Sequence, residues 1–310
     1  SCHKEIRSTA AYVSLYTVMA VAVGLTVCGN LLVIISISHF KQLHTPTNLL
    51  LLSLAVADFL VGATVMPLSI TTLIETCWYF GDILCSFYKS LDCVLISVSL
   101  CNLVLIAIDR YFAVCDPFFY STKITVNVMY LLILLSWFIS PLYVIILLYV
   151  NGNFSDYACF GDCFILINAT WGIIDLLVTF IIPCCVMIIL YARIFLVAKK
   201  QAQAINSITN QITFTNGINR ISKKSEWKAA KTLGIVVFVF LFCWIPYYVF
   251  IVIDGFATFT AFQFSPIVIV YLNSCINPII YALFYPWFQK SVKLILTFKV
   301  CYTDSSFINL

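Results

Sequence analysis

Apolar residues run in long blocks separated by short polar connections, and no extended stretch alternates apolar with polar. Seven blocks reach about 20 residues or more, the length a helix needs to cross the hydrocarbon core of a bilayer. They lie near 11–37, 48–73, 85–115, 126–149, 168–200, 226–253 and 262–285. In lipid such blocks are helices, because a helix satisfies its own backbone polar groups. Membrane strands would be about 9–11 residues long and would alternate. The pattern therefore predicts an all-α membrane protein, a seven-transmembrane helix bundle forming one domain over 1–310. After the seventh block, Pro286 opens an amphipathic stretch over 287–299 that reads as a short interfacial helix. The one long connection, 201–225, is rich in Asn, Ser, Thr and Gln and reads as a loop.

Composition agrees: 63% of residues are apolar and 10% charged, far from the balance of soluble domains. That excludes an ordinary soluble enzyme, a nucleic-acid-binding domain and a disordered chain. Of 17 Lys and Arg, 14 fall in alternate connections on one side, from Lys41 to Lys299. The opposite side has only Lys4 and Arg7, with Lys89 near the outer end of span three. The positive-inside bias puts the N-terminus outside and the C-terminus inside, in a multi-pass membrane protein. The basic inner side also suits anionic lipid headgroups. The outer side carries Glu5, Glu75, Asp82, Asp156, Asp162 and Asp254, a mouth that attracts cations or simply a set of solvated acids. Asn153 and Asn168 begin glycosylation sequons on that side; Asn168 lies close to the membrane, which leaves Asn153 as the candidate. Among the cysteines, Cys28, Cys93, Cys101, Cys184, Cys185, Cys243 and Cys275 read as small core residues within helices. Cys2, Cys77, Cys85, Cys159 and Cys163 lie outside, where disulfides persist. Cys301, after the interfacial helix, is either a palmitoylation site or an ordinary thiol.

Ionisable side chains within spans are costly and mark function. Here they are Asp58, Asp92 and Asp175, with Asp109-Arg110 at an inner end. No His lies inside a span and span seven has no Lys, so a membrane enzyme has little to work with. Asp92 and Arg110 are 18 residues apart. They share one helix face and stand roughly 27 Å apart along the axis, one at the outer mouth and one at the inner surface. That spacing suits a helix that senses outside and reports inside. Pro183, Pro246 and Pro278 fall inside spans and favour kinks. A transporter should show repeated halves or broken mid-membrane helices, and a channel should show charge rings or filter loops. Neither pattern is present, although a secondary transporter remains the rival class.

The motifs resemble the rhodopsin-like (class A) G-protein-coupled receptors over almost the whole chain. They are Gly29-Asn30, Leu54-Ala55-Val56-Ala57-Asp58, Asp109-Arg110-Tyr111, Trp137, Pro183 with Tyr191, Cys243-Trp244-Ile245-Pro246, and Asn277-Pro278-Ile279-Ile280-Tyr281. Asp92, seven residues after Cys85, and Tyr271 match the aminergic group. Cys77-Trp78-Tyr79-Phe80-Gly81, Lys228-Ala229-Ala230-Lys231-Thr232-Leu233-Gly234 and the pair Cys159/Cys163 look most like trace amine-associated receptors of fish. The resemblance implies the disulfides Cys85–Cys163 and Cys2–Cys159, with Cys77 free. It implies that Asp92 binds an amine, steadied by Tyr271 and walled by Trp244, Tyr247 and Tyr248. By helical facing, Cys93 and Ile96 line the same site. Asp58 with Asn30, Ser99, Asn273 and Asn277 resembles a polar cluster that holds either a sodium ion or water; no other cofactor is expected. Arg110 is the expected latch, pairing with Asp109 and with Glu226, while Tyr111, Tyr191, Trp244, Pro246, Asn277, Pro278 and Tyr281 belong to the activation switch. The partner implied is a heterotrimeric G protein of the stimulatory class acting through cyclic AMP, in a receptor of olfactory type.

Asp175 refines the ligand. An unpaired buried carboxylate is expensive, and an alkylammonium supplies charge and N–H donors. Two carboxylates about 9 Å apart at an effective dielectric of about 20 repel by about 2 kcal/mol. A monoamine neutralises one of them. A diamine with an extended chain of about five carbons pairs with both, as the resemblance to Asp-bearing trace-amine receptors also implies. The alternative is a receptor for serotonin-like or phenethylamine-like monoamines, with Asp175 bonded to a neighbour such as Thr179.

Overall fold

The computed structural model describes residues 7–151, 163, 169–209, 234–249, 252 and 266–298. Among the described residues there are helices and turns and no strand. The spans observed are Thr9–His39, Pro46–Glu75, Asp82–Cys115 and Val126–Asn151. Span five follows as Ala169–Leu176, Leu177–Ile181 and Ile182–Thr209, span six as Gly234–Val249 and span seven as Pro266–Phe284. A last helix, Pro286–Leu296, turns away from span seven by 100°. The fold is the seven-helix membrane bundle that the apolar blocks predict.

Local chemistry fixes the ends. Ser8 and Thr45 cap spans one and two by accepting from the backbone N–H of Ala11 and Asn48, and Pro46 fills the first-turn position that needs no donor. The outer turn between spans two and three uses a left-handed residue, Thr76, and a positive-φ Gly81. Trp78 Nε1 donates to the Gly81 carbonyl at 2.8 Å, and its ring stacks on Tyr88 at 5.4 Å. This pins the start of span three.

Several features differ from the sequence expectation. Residues 201–209, expected in a loop, continue span five as helix; Gln and Ala are good helix formers, and a helix already under way adds residues without a new nucleus. A short helix, Pro117–Lys123, follows span three, capped by Asp116 accepting from Phe119 N–H at 3.1 Å. Spans two and five each contain one π turn, Val61–Val65 and Leu177–Ile181, ending two residues before Pro67 and Pro183. Each proline withholds a backbone N–H, and the wider turn absorbs the mismatch and rotates the outer half of the helix. Cys28 and Cys185, expected in the core, are exposed; they lie on lipid-facing sides of their spans, where a thiol is tolerated.

The bundle is polar within and apolar without. Asn30, Asn102, Asp109 and Asn277 are fully buried, while Leu134, Phe138 and Ile145 of span four are more than 60% exposed on the side facing lipid. Close helix approach depends on small residues. A Cβ on Gly29 would stand 2.9 Å from Pro278 Cβ, and one on Gly62 would stand 2.8 Å from Thr26 Cγ2. Gly29 lets spans one and seven touch beside the polar cluster, and Gly62 does the same for spans one and two.

Candidate functional site

Three polar constellations stack along the bundle. Towards the end that carries the Cys85–Cys163 bridge, Asp92 of span three is 7% exposed. Its Oδ2 receives a long hydrogen bond, 3.4 Å, from Tyr271 OH of span seven. Its Oδ1 is buried without a hydrogen-bond partner, a costly state for a carboxylate. Tyr271 OH also bonds Ser69 Oγ at 2.6 Å, and Ser69 bonds Tyr88 OH at 2.8 Å. Tyr271 is therefore positioned by span two, which the sequence did not reveal because Ser69 belongs to no motif.

Asp175 belongs to the outer, pre-π segment of span five. Its Oδ1 accepts from Tyr143 OH of span four at 2.6 Å. Thr179 Oγ1 donates to the Asp175 backbone carbonyl at 2.7 Å and pairs with Tyr248 OH at 2.9 Å. Asp92 and Asp175 are both within electrostatic range of Cys93 and Tyr247. Trp244, Tyr247 and Tyr248 form one aromatic cluster with centroid separations of 5.3–5.8 Å, and Phe180 stacks on Tyr248 at 4.2 Å. Ile96 is half-buried against this core. Tyr143 carried no motif signal; only the span four–span five contact reveals it.

Midway, Asp58 is 1% exposed. Its Oδ1 accepts from Ser274 Oγ at 2.7 Å, and its Oδ2 from Asn277 Nδ2 at 2.8 Å. Asn277 also reaches Asn273 Oδ1 at 3.3 Å, and Asn30 Nδ2 donates to the Ser274 and Thr26 carbonyls. Ser274 is a member the sequence reading omitted. Ser99 Oγ, Asn30 Oδ1 and Asn277 Oδ1 are buried without partners, and such spare oxygens fit a hard cation or a water.

At the opposite end, Arg110 Nε and Nη2 donate to Asp109 Oδ2 at 2.9 and 2.5 Å. Thr47 Oγ1 of span two donates to the same oxygen at 2.7 Å and also contacts Arg110 Nη2. Tyr120 OH of the short helix accepts from Arg110 at 3.3 Å. Burial and the nearby Asp109 carboxylate raise the Tyr120 phenol above its ordinary range, so it stays protonated. Thr47 and Tyr120 were missed by sequence reasoning. Tyr111 packs edge-on against Phe112, 5.4 Å away. Tyr191 and Tyr281 hydroxyls are buried without partners. Pro246 is half-buried in span six, and Pro278 packs on Gly29. Glu226 lies outside the described residues.

The expected Cys85–Cys163 disulfide is present, with Cα atoms 5.7 Å apart. Cys77, expected free because the resemblance implied two pairs that left it over, is disulfide-bonded; a pairing carried over by resemblance does not report which cysteines lie close in space. The expected Cys2–Cys159 pair, Asn153 and Cys301 lie outside the described residues.

A membrane bundle with a buried, partly unpartnered acid towards one end and a buried arginine–aspartate pair towards the other fits a signalling receptor rather than an enzyme. Residues 29–281 match the family described as "7 transmembrane receptor (rhodopsin family)". Trace amine-associated receptor 13c of Danio rerio is 42% identical over 100% of this chain and 93% of its own length. Trace amine-associated receptor 9 of Mus musculus is 46% identical, over 100% and 92%. Trace amine-associated receptor 1 of Macaca mulatta is 42% identical, over 99% and 94%. The chain belongs to the rhodopsin family of seven-transmembrane receptors, and within it to the trace amine-associated receptors. It is a multi-pass plasma-membrane protein that takes a small-molecule ligand and signals to a G protein.

Proposed function

We propose that this receptor binds a linear diamine between Asp92 and Asp175 and activates a stimulatory-class G protein, with its N-terminus outside the cell and an olfactory role. The observation that carries this reading is the buried, unpartnered Oδ1 of Asp92, with Asp175 near enough that both acids act on Cys93 and Tyr247. One ammonium would pair with Asp92, and the second with Asp175 in competition with Tyr143 OH. The methylenes would lie against Trp244, Tyr247 and Tyr248, adding apolar and cation–π contact. A sodium ion or water held by Asp58 and Ser99 would steady the bundle below. Ligand binding shifts a two-state equilibrium only by its differential affinity for the two states. Contraction around the two ammonium groups would move span six at Trp244 and Pro246 and weaken the Arg110 latch, opening an inner groove for the G protein.

The hydrogen bond from Tyr143 favours a second reading. It already gives Asp175 a local partner at 2.6 Å, so Asp175 would be structural and the ligand a monoamine. Cyclic-AMP dose–response curves for linear diamines and matched monoamines, on wild type and Asp175→Ala, separate the two. A diamine advantage of tenfold or more, about 1.4 kcal/mol, lost in the variant, supports the two-acid site. A monoamine preference untouched by the variant replaces it with the second reading.

A further inference from the structure

Asp92 is not the only charge near the outer mouth that lacks a direct counterion. Lys89 precedes it by three residues on span three, an axial offset of about 4.5 Å. The Lys89 ammonium sits 4.8 Å from the centroid of the Tyr88 ring. That ring is itself fixed: Tyr88 is 2% exposed, stacked on Trp78 and bonded to Ser69. Lys89 and Asp92 make no direct ion pair with each other, yet each lies within electrostatic reach of the other. The Tyr88 hydroxyl is linked through Ser69 and Tyr271 to Asp92, so the Lys89 ammonium lies against the same buried polar chain that holds Asp92.

A plain diamine answers only part of this arrangement. It neutralises two acids and brings a third cation beside Lys89, which stays unpaired and repels the incoming ammonium. The pocket presents charges in the order cation, anion, anion, from Lys89 through Asp92 to Asp175. The complementary ligand carries anion, cation, cation in that order. An α-amino acid head places carboxylate and ammonium on one carbon, a separation that suits two side chains one helical turn apart.

We propose that Lys89 and Asp92 form a subsite for an adjacent carboxylate and ammonium, so that this receptor favours an α-amino acid bearing a second amine at the far end of its side chain over the corresponding diamine. This rests on the reading that Asp92 takes the ligand's ammonium; only the far-end amine depends on Asp175. The Lys89 ammonium leaves the Tyr88 ring to donate to the carboxylate in a charge-assisted hydrogen bond.

The test uses the full-length receptor with surface expression quantified, and two probe pairs that differ only by a carboxylate: free lysine against cadaverine, and norleucine against pentylamine. Cyclic-AMP or direct G-protein-dissociation curves are taken on wild type, Lys89→Met, Lys89→Arg and Asp175→Ala. The expected result is that lysine is at least tenfold more potent than cadaverine on wild type. Lys89→Met should erase that margin, mainly through a loss of lysine potency, and Lys89→Arg should keep most of it. The inference is overturned if cadaverine is the more potent on wild type. An equal shift of both probes in Lys89→Met, or silence to both amino acids at confirmed surface expression, overturns it as well. Asp175→Ala keeps the two readings apart. If it changes no potency while both amino acids still outperform their amines through Lys89, the two-acid reading fails and the Lys89 subsite stands. If it removes the cadaverine–pentylamine difference while Lys89→Met removes nothing, the reverse holds.

Discussion

Thr47 offers the sharpest test of the inner latch. Its hydroxyl ties span two to the Asp109–Arg110 pair through a 2.7 Å bond to Asp109 Oδ2. Thr47→Val keeps the side-chain shape and removes that donor together with the hydroxyl's contact to Arg110 Nη2. A hydrogen bond to a charged group contributes about 1.5–3 kcal/mol. The low end applies here, because Asp109 keeps both of its bonds from Arg110. A loss of about 1.5 kcal/mol is slightly more than tenfold in the ratio of resting to active receptor. Ligand-free signalling should therefore rise by close to that factor until it saturates. The assay is agonist-free G-protein dissociation, read across G-protein classes and normalised to surface expression. Asp109→Asn, which removes the carboxylate charge itself, serves as the positive control. If Asp109→Asn raises basal signalling and Thr47→Val stays within twofold of wild type, the claim that span two helps close the latch is wrong.

Other consequences are equally direct. Tyr143→Phe frees Asp175 from its 2.6 Å bond, so diamine potency should rise severalfold, in line with about 1 kcal/mol for one hydrogen bond, while monoamine potency holds; unchanged curves for both would assign Asp175 to structure. Gly29→Val forces side-chain atoms against Pro278, already only 2.9 Å from a virtual Cβ; overpacking of this kind costs about 1–3 kcal/mol, and the detergent-purified receptor should melt several degrees lower. Ser274→Ala removes one of two donors to the buried Asp58, and a thermal-shift series with increasing sodium should show a weaker sodium response than wild type if Asp58 holds the ion. Cys85→Ser opens a bridge spanning 78 residues of chain; a loss of about 2–4 kcal/mol should appear as reduced surface expression.

Much of the architecture was readable because lipid imposes one rule on every span. A continuous apolar block must become a helix, so blocks of the right length predicted seven helices without reference to partners. Asp58, Asp92, Asp109, Arg110 and Asp175 were legible for the same reason, since an ionisable group in hydrocarbon is too costly to be accidental. The resemblance supplied the Cys85–Cys163 bridge and the place of Tyr271. It misplaced Cys77, whose pairing depends on how the outer segments approach one another and not on spacing along the chain.

The side chains that hold those charged groups were not legible. Ser69, Tyr143, Ser274, Thr47 and Tyr120 are common polar residues with no distinguishing neighbours, and their bonds run between different helices. Which hydroxyl meets which carboxylate depends on the rotation of each helix, and the π turns before Pro67 and Pro183 alter that rotation by amounts no periodicity reveals. Lys89 makes the same point. In the sequence it is one base near an outer helix end. In the bundle its ammonium lies over Tyr88, one turn from Asp92. The chain by itself determined that buried charge would be present and on which helices, because the cost of desolvating it depends on residue type and depth alone. The tertiary structure decided which of those charges are paired and which are left for a ligand, because pairing depends on directions and distances of a few ångströms that exist only after the helices pack.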